Sequence, residues 1–256
     1  MLDSTSKYLF ISDIHSNYQD LIKLRKLPEY TNPQTKFIFC GDYIDGQDQT
    51  ELAVIKVIRF IKALCDAHKA IALLGNHDQF FIETARGSES QFEHWKLNGG
   101  SQTWQAWNLR STNFLEIKQQ LKQNFQSEIN FLASLKLTWH NDRILAVHAG
   151  INWERDIEHQ IPLDLLWIRD AYFYELLSNI SHRNLSQRVI ISGHTPTYFL
   201  NGNPTCPIEV LRHDVIDIPR YVIDGGCKSG IGNELNVLVL KADGRFVHGG
   251  KIGTLI

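Results

Sequence analysis

Tyr8-Leu9-Phe10-Ile11-Ser12-Asp13-Ile14-His15 decides how the chain is read. Four apolar residues in a row, followed at once by polar ones, read as a buried strand. That strand ends on two side chains able to ligate or to carry a proton. The same construction returns four times. Phe37 to Cys40 runs into Gly41-Asp42-Tyr43-Ile44-Asp45, and Ala70 to Leu74 into Gly75-Asn76-His77-Asp78. Ile144 to Val147 ends at His148, and Val189 to Ser192 at Gly193-His194-Thr195. Open α/β sheets collect their functional groups just beyond the carboxyl ends of their strands. These strand ends therefore predict one shared site.

The segments between the strands fit that frame. Tyr18 to Leu27 reads as a helix that stops before Pro28. Apolar residues from Leu52 through Ile55, Ile58, Phe60, Ile61 and Leu64 recur at helical spacing up to about Ala67. A β-α-β-α-β order with short connections predicts a largely parallel sheet covered by helices. From about 87 to 136 the rhythm changes to a glutamine-rich, aromatic stretch carrying Phe92, Trp95, Trp104, Trp107 and Phe114. Leu115, Leu121, Phe125, Ile129 and Leu132 keep rough helical spacing there. This is read as a helical insertion that forms a cap or wall over the site, or else buries only its own aromatic core. Strands then return at about 137–139, 144–147, 189–192, 221–223 and 235–240, around a helix from Leu163 to about Asn179 with Pro162 near its first turn. They predict a second, partly antiparallel sheet. The expected fold is α/β of a four-layer type: two packed mixed β-sheets flanked by helices, one domain over 1–256.

Bulk properties narrow the function. A net charge of −2 with scattered Lys and Arg gives no field that would recruit nucleic acid. No apolar run approaches membrane-spanning length. Cys40, Cys65, Cys206 and Cys227 show no C-x-x-C pair or regular spacing, which favours reduced thiols and a cytoplasmic setting.

The strand-end residues have the chemistry to hold metal. Asp13 and His15, one residue apart, leave an extended chain on the same side. Asp42 can place one carboxylate on two ions. Asn76 offers an amide oxygen, and His148 and His194 offer imidazole nitrogen. Mixed oxygen and nitrogen donors suit manganese, iron or zinc and argue against a dedicated calcium site.

Asp-x-His, Gly-Asp-x-x-Asp, Gly-Asn-His-Asp, His148-Ala149-Gly150 and Gly-His-Thr-Pro, in this order from Asp13 to Gly226, resemble the calcineurin-like metallophosphoesterase superfamily. Within it they resemble the PPP-type branch of bacterial serine/threonine phosphatases and their dinucleoside tetraphosphatase relatives. The resemblance implies one divalent ion on Asp13, His15 and Asp42 and a second on Asp42, Asn76, His148 and His194, manganese being the first expectation. A hydroxide between the two ions would attack phosphorus, with His77 as general acid oriented by Asp45; Asp78 is the local alternative to Asp45. Arg169, in Leu165-Leu166-Trp167-Ile168-Arg169-Asp170, would grip the phosphate; its other reading is an ion pair with Asp170 or another surface carboxylate. Gly46 stands where the family motif continues with an arginine, and Arg86 or Arg110 could fill that vacancy. Asp224, before Gly225-Gly226, is a candidate hydrogen-bond partner for a ligand histidine. The expected activity is metal-dependent hydrolysis of phosphoserine or phosphothreonine in a protein or peptide; the alternative is hydrolysis of a dinucleoside polyphosphate such as diadenosine tetraphosphate.

Overall fold

In the computed structural model, residues 6–46, 51–109, 111–175, 180–231 and 234–255 are described. The strands are β1 (Lys7–Ile11), β2 (Thr35–Phe39), β3 (Ala70–Ala72), β4 (Thr138–His140), β5 (Ile144–Val147), β6 (Val189–Ser192), β7 (Glu209–Leu211), β8 (Arg220–Val222), β9 (Asn236–Lys241) and β10 (Phe246–Lys251). The helices are α1 (Tyr18–Leu21), α2 (Pro28–Thr31), α3 (Glu51–Asp66), α4 (Asn76–Arg86), α5 (Glu89–Trp95), α6 (Ser101–Ala106), α7 (Phe114–Asn124), α8 (Gln126–Ala133), α9 (Pro162–Trp167), α10 (Asp170–Phe173) and α11 (Thr197–Asn201).

They form two five-stranded mixed sheets, in the orders β10-β9-β1-β2-β3 and β4-β5-β6-β8-β7. β1, β2 and β3 run parallel, as do β5, β6 and β8. β9 and β10 extend the first sheet antiparallel, and β4 and β7 edge the second in the same way.

Alternation along the apolar strands sorts their side chains into layers. Phe10, Ile38, Ile144, Ala146 and Ile191 pack between the sheets. Leu9, Ile11, Phe37 and Phe39 face the other way, into a cluster with Val57 and Ile61 of α3, Phe81 of α4 and Leu121 of α7. Leu145, Val147 and Ile190 face Leu165 of α9 and Tyr172 and Phe173 of α10. The result is four layers, helix–sheet–sheet–helix, as the apolar pattern predicts.

Several elements differ from the sequence reading. The Tyr18–Leu27 helix is α-helical only to Leu21. It then tightens to a 3-10 turn over Ile22–Lys26, because Pro28 holds Leu27 extended (ψ 141°) and opens α2 itself. The helical block between β3 and β4 starts at Asn76 rather than near residue 87, so the Gly-Asn-His-Asp motif is the first turn of α4. The helix expected from Leu163 to about Asn179 breaks at Ile168 and Arg169 and resumes as α10; residues 176–179 lie outside the described residues. The strand near 235–240 does not join the second sheet but returns to β1. Among the described residues, no helix is long and apolar enough to cross a membrane.

Candidate metal centre

The parallel strands of both sheets deliver their carboxyl ends to one edge, and the turns there are strained. Asp13, His15, Ser16, Asp42, Asp45 and His194 all hold positive φ, between 44° and 64°. That region is unfavourable for side chains other than glycine, and such strain collects at functional sites. Asp13 and His15 therefore do not leave an extended strand; a left-handed turn brings them together. Glycine permits the closest approach. A Cβ at Gly75 would lie 2.1 Å from Asp42 Oδ1.

The turns assemble two overlapping donor groups. Asp13, His15 and Asp42 each offer an atom within 4.8 Å of the others, and so do Asp42, His148 and His194. Asp42 Oδ2 lies 3.6 Å from His15 Nε2 and 3.5 Å from His148 Nε2, so one oxygen faces both groups. Asn76 Oδ1 is 2.8 Å from His148 Nε2. The six sequence-predicted ligands thus come together.

The hydrogen bonds fix which imidazole nitrogens face inward. His15 Nδ1 lies 2.8 Å from the Ile44 carbonyl and His148 Nδ1 2.8 Å from the Cys40 carbonyl. A carbonyl only accepts, so each Nδ1 carries a proton and Nε2 is the nitrogen turned toward the cluster. His194 Nε2 is buried without a hydrogen-bond partner, and its backbone N–H donates to Asp13 Oδ2 (2.9 Å). An unpartnered imidazole nitrogen on His194, beside buried carboxylates and the Nε2 atoms of His15 and His148, fits a pair of divalent ions.

Electrostatics point the same way. Burial opposes charge on His15, yet its contact with Asp13 and the charge of Asp42 hold it up to about 9. Burial, with His148 and Arg169 nearby, presses His194 down to about 3. Burial alone would raise Asp42, but His148, His77 and His15 hold it well below the usual carboxylate range. The cluster attracts positive charge and keeps a neutral imidazole ready beside it.

The residues expected to handle protons lie alongside. His77 Nδ1 is 2.7 Å from Asp45 Oδ2. Asp78 does not orient His77. It is buried and accepts the backbone N–H groups of Asp42 (2.9 Å), Tyr43 (3.0 Å) and Gly75 (3.0 Å), binding the two loops together. Burial and the Asp42 charge push it up to about 7. Asp224 hydrogen-bonds the Gly226 N–H (2.8 Å) rather than a ligand histidine. Cys227 is buried, and burial pushes its thiol pKa up, which removes it as a nucleophile.

Arg169 is exposed at the mouth of a cavity of about 350 Å³ lined by Asp13, His15, Asp42, His77 and His194. Its guanidinium donates to Thr195 Oγ1 (2.9 Å) and, among the described residues, forms no ion pair with Asp170. Arg86 pairs with Glu83 (3.0 Å), and Arg110 lies outside the described residues.

No side chain fits at Gly46, where a Cβ would sit 1.4 Å from the His15 carbonyl oxygen. Gly46→Ala is expected to cost about 3 kcal/mol or more and to displace His15. A urea midpoint equal to that of the unmodified chain would contradict this.

Three participants escape the sequence reading. Trp95 Nε1 donates to Asp45 Oδ2 (2.7 Å) and Thr103 Oγ1 donates to Asp45 Oδ1, so helices α5 and α6 lock the carboxylate that orients His77. Lys228 Nζ stands 2.8 Å from His77 Nε2. The recurring aromatic residues of the helical block carried the signal for Trp95; nothing marked Lys228 among the other lysines.

A cleft that gathers carboxylate, amide and imidazole donors from the ends of parallel strands is that of a metal-dependent phosphatase. The chain belongs to the calcineurin-like phosphoesterase family, matching its family model over residues 6–225. Members of the family work with a dinuclear divalent metal centre. A stretch of 79 residues is 33% identical to a symmetrical bis(5'-nucleosyl)-tetraphosphatase of Aeromonas hydrophila, covering 30% of this chain and 26% of that one. The match thus spans about a quarter of that curated relative's length. Over the whole fold, the chain is similar to a solved structure provisionally named a diadenosine tetraphosphatase (TM-score 0.58, 15% identity, 98% and 96% of the two chains covered). It is also similar to a yeast serine/threonine phosphatase resembling human PP5 (TM-score 0.51, 15% identity, 97% and 80% covered).

Proposed function

We propose that the chain hydrolyses phosphate esters with Asp13, His15 and Asp42 holding one divalent ion and Asp42, Asn76, His148 and His194 holding the other. The observation that carries this reading is the single oxygen Asp42 Oδ2, shared between His15 and His148. When bound, such a pair lowers the pKa of water and neutralises phosphoryl oxygens. The mixed oxygen and imidazole donors suit manganese, iron or zinc, and manganese is the first choice for the test below.

The chain's own groups do the rest. Arg169 reaches into the cavity to take phosphoryl oxygens of the substrate, a task suited to a planar guanidinium. His77 gives a proton to the leaving oxygen. Asp45, held by Trp95 and Thr103, keeps the His77 ring from turning away.

The first substrate reading is a phosphorylated serine or threonine in a peptide or protein, in the manner of PPP-type phosphatases. An exposed Arg169 at the cleft mouth and the likeness to the yeast phosphatase support it. A dinucleoside polyphosphate is the second reading. Favouring it are the tetraphosphatase relatives and the aromatic wall of Trp167, Tyr198 and Phe199, on which a nucleobase could stack. A cytoplasmic setting accords with free Cys40, Cys65, Cys206 and Cys227.

Manganese-supplemented hydrolysis of a phosphothreonine peptide and of diadenosine tetraphosphate, side by side with an Asn76→Ala control, tests both readings. Faster peptide turnover that disappears in the control supports the phosphatase; faster nucleotide turnover supports the polyphosphate reading. Turnover of neither, with two ions bound, would refute phosphate ester hydrolysis.

A further inference from the structure

We propose that Lys228 grips a second phosphate on the leaving-group side of the scissile bond, which favours the phosphoanhydride of the second substrate reading over the ester of the first. The inference rests on the hydrolytic reading above and concerns what lies beyond the metal ligands. Behind His77 a second cavity of about 490 Å³ is lined by Asp45, Gly46, Leu97, Asn98, Gly99, Gln102 and Lys228. None of the six candidate ligands lines it. Lys228 and Asn98 line both cavities, so the ammonium stands at the passage between them.

Among the described residues the ammonium contacts His77 Nε2 at 2.8 Å. Lys228 is half-buried, and among the described residues its Nζ makes no ion pair with a carboxylate. Asp45 shares the second cavity, but its oxygens already accept from His77, Trp95 and Thr103. A partly desolvated ammonium that no carboxylate touches directly is costly, and part of that cost is recovered when an anion arrives. The backbone around the passage is irregular as well. Asn98 and Gly99 kink the helical run there, with φ values of −111° and +105°.

With the attacked phosphoryl group at Asp42 and Arg169, the atom beyond the scissile bond falls next to His77, and the group after that meets Lys228. In an anhydride that group is a phosphate. Water adds its oxygen to the attacked phosphorus, and the electron pair of the broken P–O bond stays on the departing phosphate. The water protons pass to the products. The ammonium stabilises the anion that leaves, which an alcohol leaving group does not supply.

Calorimetric binding of α,β-methylene-ADP and of inorganic phosphate to the manganese-loaded chain tests this, using the unmodified protein, Lys228→Ala and Lys228→Arg. The alanine variant is expected to weaken the methylene diphosphate analogue roughly 10- to 100-fold, the value of one charged hydrogen bond, and inorganic phosphate far less. The arginine variant should recover most of that loss. Equal weakening of both ligands would move Lys228 to the attacked phosphate, and equal binding by all three proteins would remove it from the site; either overturns the proposal. So would failure of the unmodified chain to bind the analogue. In parallel, Lys228→Ala should slow diadenosine tetraphosphate hydrolysis at least tenfold more than p-nitrophenyl phosphate hydrolysis. Should the unmodified chain turn over neither substrate, the hydrolytic reading fails while the binding experiment still decides the role of Lys228.

Discussion

Asp42→Asn is expected to lower turnover on the order of 10³-fold and to remove metal from both positions together. Asparagine keeps the shape of the side chain, and its oxygen can still accept the His77 N–H that Asp42 Oδ1 accepts at 2.9 Å. The first turn of α4 therefore stays in place. What disappears is the charge on the one oxygen that faces His15 and His148. Two ions lose their common anion, and several kcal/mol of phosphoryl charge stabilisation goes with them. Metal analysis of the purified variant is the decisive reading. A full complement of two ions would show that Asp42 is not shared.

His77→Asn is expected to slow turnover by roughly 10²- to 10⁴-fold, the usual contribution of a positioned acid. The loss should depend on the leaving group. p-Nitrophenolate departs without a proton, whereas the alkoxide of phosphothreonine needs one, so the peptide should suffer by far the greater loss. Because Asp45 acts only through the His77 ring, Asp45→Asn should show the same leaving-group pattern in weaker form. Equal losses on both substrates would refute the acid role and leave His77 as a binding group.

Sequence made the frame of this protein legible because its carriers are short and local. A buried strand must be apolar, and the residue after it is free to be Asp, Asn or His, so the chain spells out each strand end. The motifs at 13–15, 42–45, 76–78, 148 and 194 were readable for that reason, and the structure brings them to one cleft. Other features depend on contacts between distant segments. β7 is only three residues long, and β10 contains Gly249-Gly250, so neither gives an apolar alternation to read. Trp95 and Thr103 sit among other aromatic and polar residues, and only the packing of α5 and α6 shows that they end on Asp45. Lys228 meets His77 across 151 residues, a pairing no local pattern announces.

The return of β9 to β1 has a consequence for how the chain is made. β1 lies inside the first sheet, paired on one side with β2 and on the other with β9. During synthesis β2 is available almost at once, but the second partner emerges some two hundred residues later, together with β10. Until then one edge of an apolar strand stands open, able to pair with any other extended chain. Until β9 has been synthesised the nascent polypeptide therefore carries an edge open to unwanted pairing, and the first sheet closes only after the whole of the second has been made.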